Sequence, residues 1–416
     1  MRGVIWIVLL FVVAVVAATT LGSNDGLVTI YWGGWRTDLS LNLFVLVVVV
    51  SCFVLVSAAQ ALNALVTLPR SAGEWRALRR ERAAQAALRE SLAEYFGARY
   101  SRAQKAATRA LAIHADAPDG LRGDAQFAAL GHLLAAGSLH RLQDRPRRDE
   151  MLRRLHLAAR DHSGARGTED AARLLAAEWA LEDRDAPRAL QLLAELPPGV
   201  ARRTQALRLK LSASRMARQP LEALHTARLL ANHQAFSPVA AQGLLRSLAF
   251  EALEGAHDPQ QLRRLWEQLD AADRRDPTVA ARAAMRAVAL GAPDDARSWL
   301  RPYWDRLNEL AREDREQVAL ALADAAVGIG NDWLPRLEQA QQAFAHEPAI
   351  VAAVGVAYAE RQLWGKARRL LEQAGASPGL PGRARRRAWR QLAELARREG
   401  DEARAAECER AGAAID

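Results

Sequence analysis

Two uncharged apolar stretches decide how this chain is organised: VIWIVLLFVVAVVAATTL at residues 4–21 and LFVLVVVVSCFVLVSAAQALNALVTL at residues 43–68. A helix needs about 20 apolar residues to cross the hydrocarbon core of a bilayer, and both stretches approach or exceed that length. The sequence therefore predicts an N-terminal two-helix membrane hairpin over residues 1–69, with spans at 4–21 and 41–68.

Basic residues after the second stretch predict the orientation of the hairpin. They are Arg70, Arg76, Arg79, Arg80 and Arg82, whereas the loop at residues 22–42 contains only one arginine. Short flanks rich in Lys and Arg stay in the cytoplasm, so we expect both termini on the cytoplasmic side of the membrane. Cleavage of the first stretch as a signal peptide is the alternative, and it would leave the orientation of the second span unchanged.

The loop between the two stretches has its own pattern. Tyr31, Trp32 and Trp35 are aromatic residues with a polar edge, which favours a position in the headgroup layer. Residues 27–32 are also rich in β-prone side chains and end at Gly33-Gly34, which is typical of a short strand followed by a turn.

The chain after residue 69 is rich in Ala, Leu, Arg and Glu and shows no alternation of strands with helices. In PAIVAAVGVAYAERQLWGKARRLLEQAGASP (348–378) the apolar residues follow the spacing of a tetratricopeptide repeat. The matching positions, which continue into the next helix, are Val351, Val354, Gly355, Tyr358, Trp364, Ala367, Leu371, Ala374, Trp389, Leu392 and Ala393. We expect the small residues to let paired helices touch and the large ones to fill the groove of the next pair.

Weaker copies of this pattern lie upstream, and Ala189 and Ala223 are separated by 34 residues, the expected period. The predicted fold is therefore all-α: the hairpin, then basic juxtamembrane helices and first repeat-like pairs at 70–160, then a degenerate tetratricopeptide α-solenoid at 161–416.

The formal net charge is +9, and much of the basic excess follows the second span. Because this segment adjoins a membrane, anionic lipid is a simpler partner for it than nucleic acid, for which no binding module is present. The run RARRRAWR (383–390) leaves two interpretations open, a solvated basic face or contact with an acidic partner or membrane.

The sequence contains no motif for nucleotide, phosphate or metal chemistry. G-x-G-x-x-G, G-x4-G-K-[ST], H-E-x-x-H and C-x-x-C are all missing, and the two cysteines, Cys52 and Cys408, are far apart. We expect no catalytic residues, no metal site and no bound cofactor, and hence a protein that is not an enzyme.

A two-span hairpin, a basic neck and degenerate repeats in this order resemble the HemY family of bacterial inner-membrane proteins. The resemblance rests on MRGVIWIVLLFVVAVVA (1–17), GLVTI (26–30), the second span, LAEYFGARYSRAQKAA (92–107) and LLAAGSLHRLQDRPRRDEMLRR (133–154). It implies a non-enzymatic accessory of haem and porphyrin biosynthesis. An unrelated flavin-dependent oxidase shares the family's name, but this chain lacks the Gly-rich loop that such an enzyme needs.

Three functions remain open at this point. The first is a scaffold whose repeat surface gathers haem-pathway enzymes at the inner membrane. The second is a membrane tetratricopeptide adaptor for envelope assembly or control of proteolysis. The third is direct binding of haem or a porphyrin.

Overall fold

The computed structural model describes residues 26–116, 124–160 and 162–415, without the side chains of residues 63–74 and 163. The predicted first span at 4–21 lies outside the described residues. Within them the chain is mostly helical, as an all-α fold requires. The chain divides into two compact units, residues 1–165 and residues 166–416.

The described part of the first unit begins with a β-hairpin that leads directly into a long helix. Strand β1 (Leu27–Trp32) pairs antiparallel with β2 (Trp35–Ser40), and helix α1 (Leu41–Phe96) follows without a linker. The strand and turn expected at 27–34 are therefore present. Gly33 and Gly34 have φ angles of 57° and 89°, which glycine adopts without steric penalty, so they can form the two-residue turn.

Helix α1 contains the predicted second span. Residues Leu41–Leu62 have a mean hydropathy of 2.7, and none of their most apolar window is buried inside the protein. The helix continues through Pro69, where we placed a domain boundary, and ends at Phe96. A proline in a helix interior lacks the N–H for one backbone hydrogen bond, but here the helix continues on both sides of it.

The last third of α1 packs against the rest of the first unit. The other described helices of the first unit are α2 (Tyr100–Ala115), α3 (Ala125–Arg141) and α4 (Arg145–Ala159). Ala84 and Ala87 are buried against Ala110 and Phe127, and the hydroxyl of Ser91 donates to the carbonyl of Ala103 at 2.9 Å. The candidate membrane span and the first helix of the bundle are thus parts of one helix.

The second unit consists of helices of nine to seventeen residues joined by short turns and two four-residue helices. Its helices are α5 (Arg166–Glu182), α6 (Ala186–Ala194), α7 (Pro198–Ala201), α8 (Thr204–Met216), α9 (Pro220–Asn232), α10 (Pro238–Glu254), α11 (Pro259–Gln268), α12 (Ala271–Arg274), α13 (Pro277–Ala289), α14 (Pro293–Trp304), α15 (Arg312–Asp324), α16 (Leu334–Ala343), α17 (Pro348–Glu360), α18 (Trp364–Ala376), α19 (Gly382–Arg398) and α20 (Glu402–Ala413). Pro occupies the first turn of many of them, where its missing N–H has no intrahelical partner in any case.

Helices of the second unit pack in consecutive pairs, and the first helices of successive pairs also touch. Thus α13 packs on α14, α17 on α18 and α19 on α20, while α15 lies between α13 and α17. This is the arrangement expected of a helical solenoid, in which each pair buries its apolar surface against the next pair.

Polar side chains also connect successive helix pairs of the second unit. Many hydrogen bonds and ion pairs of the second unit join residues 28 to 32 positions apart, about one helix pair. The pairs include Arg246–Asp276, Arg263–Asp295, Arg315–Glu347, Lys366–Glu338 and Arg404–Glu372. These bonds fix the register between neighbouring helix pairs in addition to the apolar core.

Candidate membrane-anchoring and partner-binding surfaces

The β-hairpin has one apolar and one polar face. Cross-strand partners share a face, and the register pairs Val28 with Leu39 and Trp32 with Trp35. Ile30, between them on the same face, completes an apolar surface. Trp32 and Trp35 are 84% and 80% exposed, so the apolar face is open to its surroundings.

The opposite face of the hairpin is held by polar bonds. The hydroxyl of Thr29 donates to Asp38 at 2.6 Å, and Arg36 pairs with the same carboxylate at 3.2 Å. Tyr31 lies opposite Arg36 on this polar face. The three aromatic residues predicted to lie in the headgroup layer are therefore on different faces of the sheet, with Tyr31 opposite the two tryptophans.

The hairpin is fastened to the beginning of the membrane helix. The backbone N–H of Leu41 donates to the carbonyl of Gly26 at 2.9 Å, and the side chain of Ser40 caps α1 by accepting from the N–H of Leu43. The apolar face of the hairpin is consequently held next to the start of the span.

The arginines predicted to lie at the membrane surface differ in their surroundings. Arg76, Arg79, Arg80 and Arg82 are exposed on α1, whereas the side chain of Arg70 lies outside the described residues. Arg79 lies over the ring of Trp75 at 5.3 Å, and Arg80 donates to the carbonyl of Asp116 at 3.3 Å. Arg80 thus ties α1 to the bundle, while Arg79 and Arg82 face solvent.

Most of the predicted repeat positions form the core of the second unit. Nine of the eleven are buried: Val351, Val354, Gly355, Tyr358, Ala367, Leu371, Ala374, Leu392 and Ala393. Trp364 and Trp389 are half-buried.

Gly355 lies at the closest approach of α17 and α18. A Cβ atom placed there would lie 3.1 Å from the Cβ of Leu370 and 3.2 Å from the Cγ of Leu371. These distances support the expectation that a small residue at this position lets the two helices touch.

Trp389 makes a contact that the sequence pattern did not reveal. Its indole N–H donates to the carbonyl of Gly375 at 3.1 Å, and a Cβ atom at Gly375 would lie 2.7 Å from the indole ring. The glycine at the end of α18 therefore makes room for the tryptophan of α19.

The arginine run at 383–390 is neither a purely solvated face nor a free patch. Arg385 donates to the carbonyl of Gly375 at 3.2 Å, Arg386 donates to the carbonyl of Ile415 at 2.9 Å, and Arg387 pairs with Asp324. Three of its five arginines thus bind α19 to α18, to α15 and to the segment after α20, which neither earlier interpretation considered.

One open cleft of about 410 Å³ lies between the end of α14 and α16. Its walls include Trp304, Leu307, Arg336 and Phe344, and Arg336 is paired with Asp305 at 2.6 Å. Trp304 donates its indole N–H to the carbonyl of Arg336. The lining contains no His, Cys, Met or Tyr that would suit an axial haem ligand, and its arginine already has a carboxylate partner.

Buried titratable groups of the second unit serve helix packing. Asp273 is 4% exposed and pairs with Arg228. Burial raises the pKa of the Asp273 carboxyl group, although the positive charge of Arg228 acts in the opposite direction. Burial likewise raises the pKa of the Cys408 thiol, on α20. Among the residues that the structure describes, no three His, Cys, Asp or Glu side chains converge on a metal site.

Comparison with known protein families gives one match. Residues 26–129 match the family model described as the HemY protein N-terminus. The match begins at the β-hairpin, covers all of α1 and α2 and ends within α3, so it coincides with the membrane-proximal elements described above. The comparison with curated proteins gave no match.

Proposed function

We propose that this chain is a scaffold of haem biosynthesis, because residues 26–129 match the N-terminal model of the HemY family, whose members are membrane-associated and linked to that pathway. In this proposal the protein is held at the inner membrane and gathers haem-pathway enzymes there without catalysing a step itself. The observation that carries the proposal is that the family match contains the whole of α1, the helix that includes the candidate span.

The second unit supports the scaffold role through its architecture. Stacked helix pairs form an extended surface that is suited to binding proteins, and attachment to the membrane raises the local concentration of any bound partner. We assign the second unit to degenerate tetratricopeptide repeats on the strength of the buried positions from Val351 to Ala393. The partners would be proteins of the haem pathway, together with anionic lipid at the basic residues nearest the span and no nucleic acid.

Loss of the protein should disturb haem synthesis if the proposal holds. In a deletion strain we expect porphyrin intermediates to accumulate and haem to fall, with full recovery on expression of the complete chain. Expression of a chain without residues 1–69 should not restore normal porphyrin and haem levels, because the partners would no longer be gathered at the membrane. Normal porphyrin and haem levels in the deletion strain would refute the haem assignment.

The proposed topology has two spans, both termini in the cytoplasm and the β-hairpin outside. In addition, we propose that the hairpin lies on the outer surface of the membrane with Trp32 and Trp35 in the headgroup layer. Its direct connection to Leu41 and its single apolar face support this position.

Cysteine labelling at two neighbouring residues on opposite faces of β2 tests both the topology and the position of the hairpin. In a chain with Cys52→Ala and Cys408→Ala, a cysteine at Arg36 should react with a membrane-impermeant maleimide added to intact spheroplasts. A cysteine at Thr37, which shares a face with Trp35, should be protected. Equal labelling would refute the position of the hairpin, and labelling of Arg36→Cys only in inverted vesicles would reverse the topology.

The alternatives predict different outcomes. A general membrane adaptor would leave haem levels normal while crosslinking in intact membranes recovers proteins of another process. Direct haem or porphyrin binding would shift the Soret absorbance on titration into the purified protein. The open cleft gives haem or porphyrin binding little support, because its Arg336 is already paired with Asp305.

A further inference from the structure

Beyond the span, α1 has two faces of different character. Ala84, Ala87 and Ser91 are buried against the bundle. At 100° per residue, the opposite face carries residues separated alternately by three and four positions. We call this surface the outer stripe, and its members are Trp75, Leu78, Arg82, the half-buried Gln85, Arg89, Leu92 and Phe96.

The outer stripe has the spacing and exposure of an unfilled helix–helix seam. A three–four alternation of side chains is the repeat by which two helices pack along each other. Trp75, Leu78, Leu92 and Phe96 are 61%, 51%, 41% and 79% exposed. Single exposed apolar residues are common on protein surfaces, but here they recur at both ends of one seam.

The middle of the stripe is basic. In the described part of the chain no carboxylate pairs with Arg82 or Arg89, and Arg89 contacts only the amide of Gln85 at 3.4 Å. Three carboxylates of α1 are engaged with other groups: Glu81 accepts from the amide of Gln85 at 3.2 Å, Glu90 pairs with Arg109 and Glu94 pairs with the neighbouring Arg99. The stripe therefore presents positive charge between two apolar ends.

A second copy of the chain does not fit this surface. Two copies in one membrane would run parallel, so that Arg82 would face Arg82 and Arg89 would face Arg89, and like charges at a seam are unfavourable.

The bilayer does not fit it either. Phe96 follows the end of the apolar stretch at residue 68 by 28 residues, which is about 42 Å of helix, whereas the headgroup layer is only about 5–8 Å thick. Because α1 is continuous over this distance, lipid headgroups cannot cover the far end of the stripe.

We propose that the outer stripe binds an amphipathic helix of a partner protein, which presents Asp or Glu to Arg82 and Arg89 and apolar side chains to the two ends. Burial of the exposed aromatic and leucine side chains supplies the affinity, and the charges select the partner. This site belongs to the first unit and does not depend on the haem assignment.

Binding of a synthetic helix to the full chain in zwitterionic nanodiscs tests the proposal. The probe is a labelled 21-residue amphipathic peptide with Leu facing Trp75, Leu78, Leu92 and Phe96 and Glu facing the two arginines. Its twin has Lys in place of Glu. We expect the acidic peptide to bind, to weaken as salt is added, and to bind at least about tenfold more tightly than its twin.

Charge reversal supplies the matched control. Arg82→Glu with Arg89→Glu should weaken the acidic peptide at least about tenfold and favour the lysine twin. Lys105→Glu, at another exposed basic residue, on α2, should leave both affinities unchanged. Equal binding of the two peptides, or no effect of the double reversal, would overturn the proposal.

Two further measurements test the other occupants. A disulfide between two copies of Gln85→Cys, in a chain with Cys52→Ala and Cys408→Ala, would show that a second copy covers the stripe. A photo-crosslinker at Leu92 that labels lipid rather than peptide in anionic nanodiscs would show that the membrane covers it. Either result would overturn the proposal, whereas normal haem levels in a deletion strain would leave it intact.

Discussion

Gly355→Ala and Gly243→Ala should change stability in opposite directions, although each adds one methyl group to a helix interior. At Gly243, on α10, an added Cβ atom meets nothing within 4 Å. Alanine is favoured over glycine in a helix by about 1 kcal/mol, so we expect Gly243→Ala to stabilise the protein by about that amount.

At Gly355 the same gain is opposed by crowding. The new Cβ atom would lie 3.1 Å from the Cβ of Leu370, an atom that cannot move without its helix. Overpacking of a core costs about 1–3 kcal/mol, so the net effect of Gly355→Ala should be a loss of about 1 kcal/mol.

Thermal unfolding of the full chain in detergent, followed by tryptophan fluorescence, measures both effects. A change of 1 kcal/mol shifts the Tm of a unit of this size by about 2–4 °C, so Gly243→Ala should raise Tm and Gly355→Ala should lower it. In a Leu371→Ala background the loss at Gly355 should shrink, since the two sites are in contact. A rise in Tm for Gly355→Ala equal to that for Gly243→Ala would refute the close approach of α17 and α18.

Three other predictions concern groups within the second unit. Arg315→Ala should destabilise the protein by about 2–3 kcal/mol in urea unfolding, because it removes a largely buried pair with Glu347, and a loss below about 0.5 kcal/mol would contradict this. Cys408 should react with a thiol reagent much more slowly in the native protein than in urea, because burial raises the pKa of the thiol; equal rates would show it to be exposed. Burial raises the pKa of Tyr303 to about 12, so between pH 10 and 12 the unfolded state loses this proton first and stability should fall with rising pH. In Tyr303→Phe, which also loses the bond to the carbonyl of Arg274, this part of the pH dependence should vanish, and an unchanged profile would contradict the assignment.

The sequence by itself determined the helical class, the apolar helix that begins at Leu41 and the strand and turn at residues 27–34. These features follow from local rules: the length of an apolar stretch, β-prone residues before two glycines, and small and large residues at helical spacing. The same rules identified nine buried repeat positions between Val351 and Ala393.

Only the tertiary structure decided which surfaces those elements share. Register places Trp32 and Trp35 on one face of the hairpin and Tyr31 on the other, and the packing of Ala84 and Ala87 decides which face of α1 becomes the outer stripe. Arginines that look alike in the sequence likewise differ because ion-pair partners such as Asp324 for Arg387 are supplied by helices distant in the chain. Side-chain type and spacing are local properties, whereas burial and charge compensation depend on which other helix arrives at the same place.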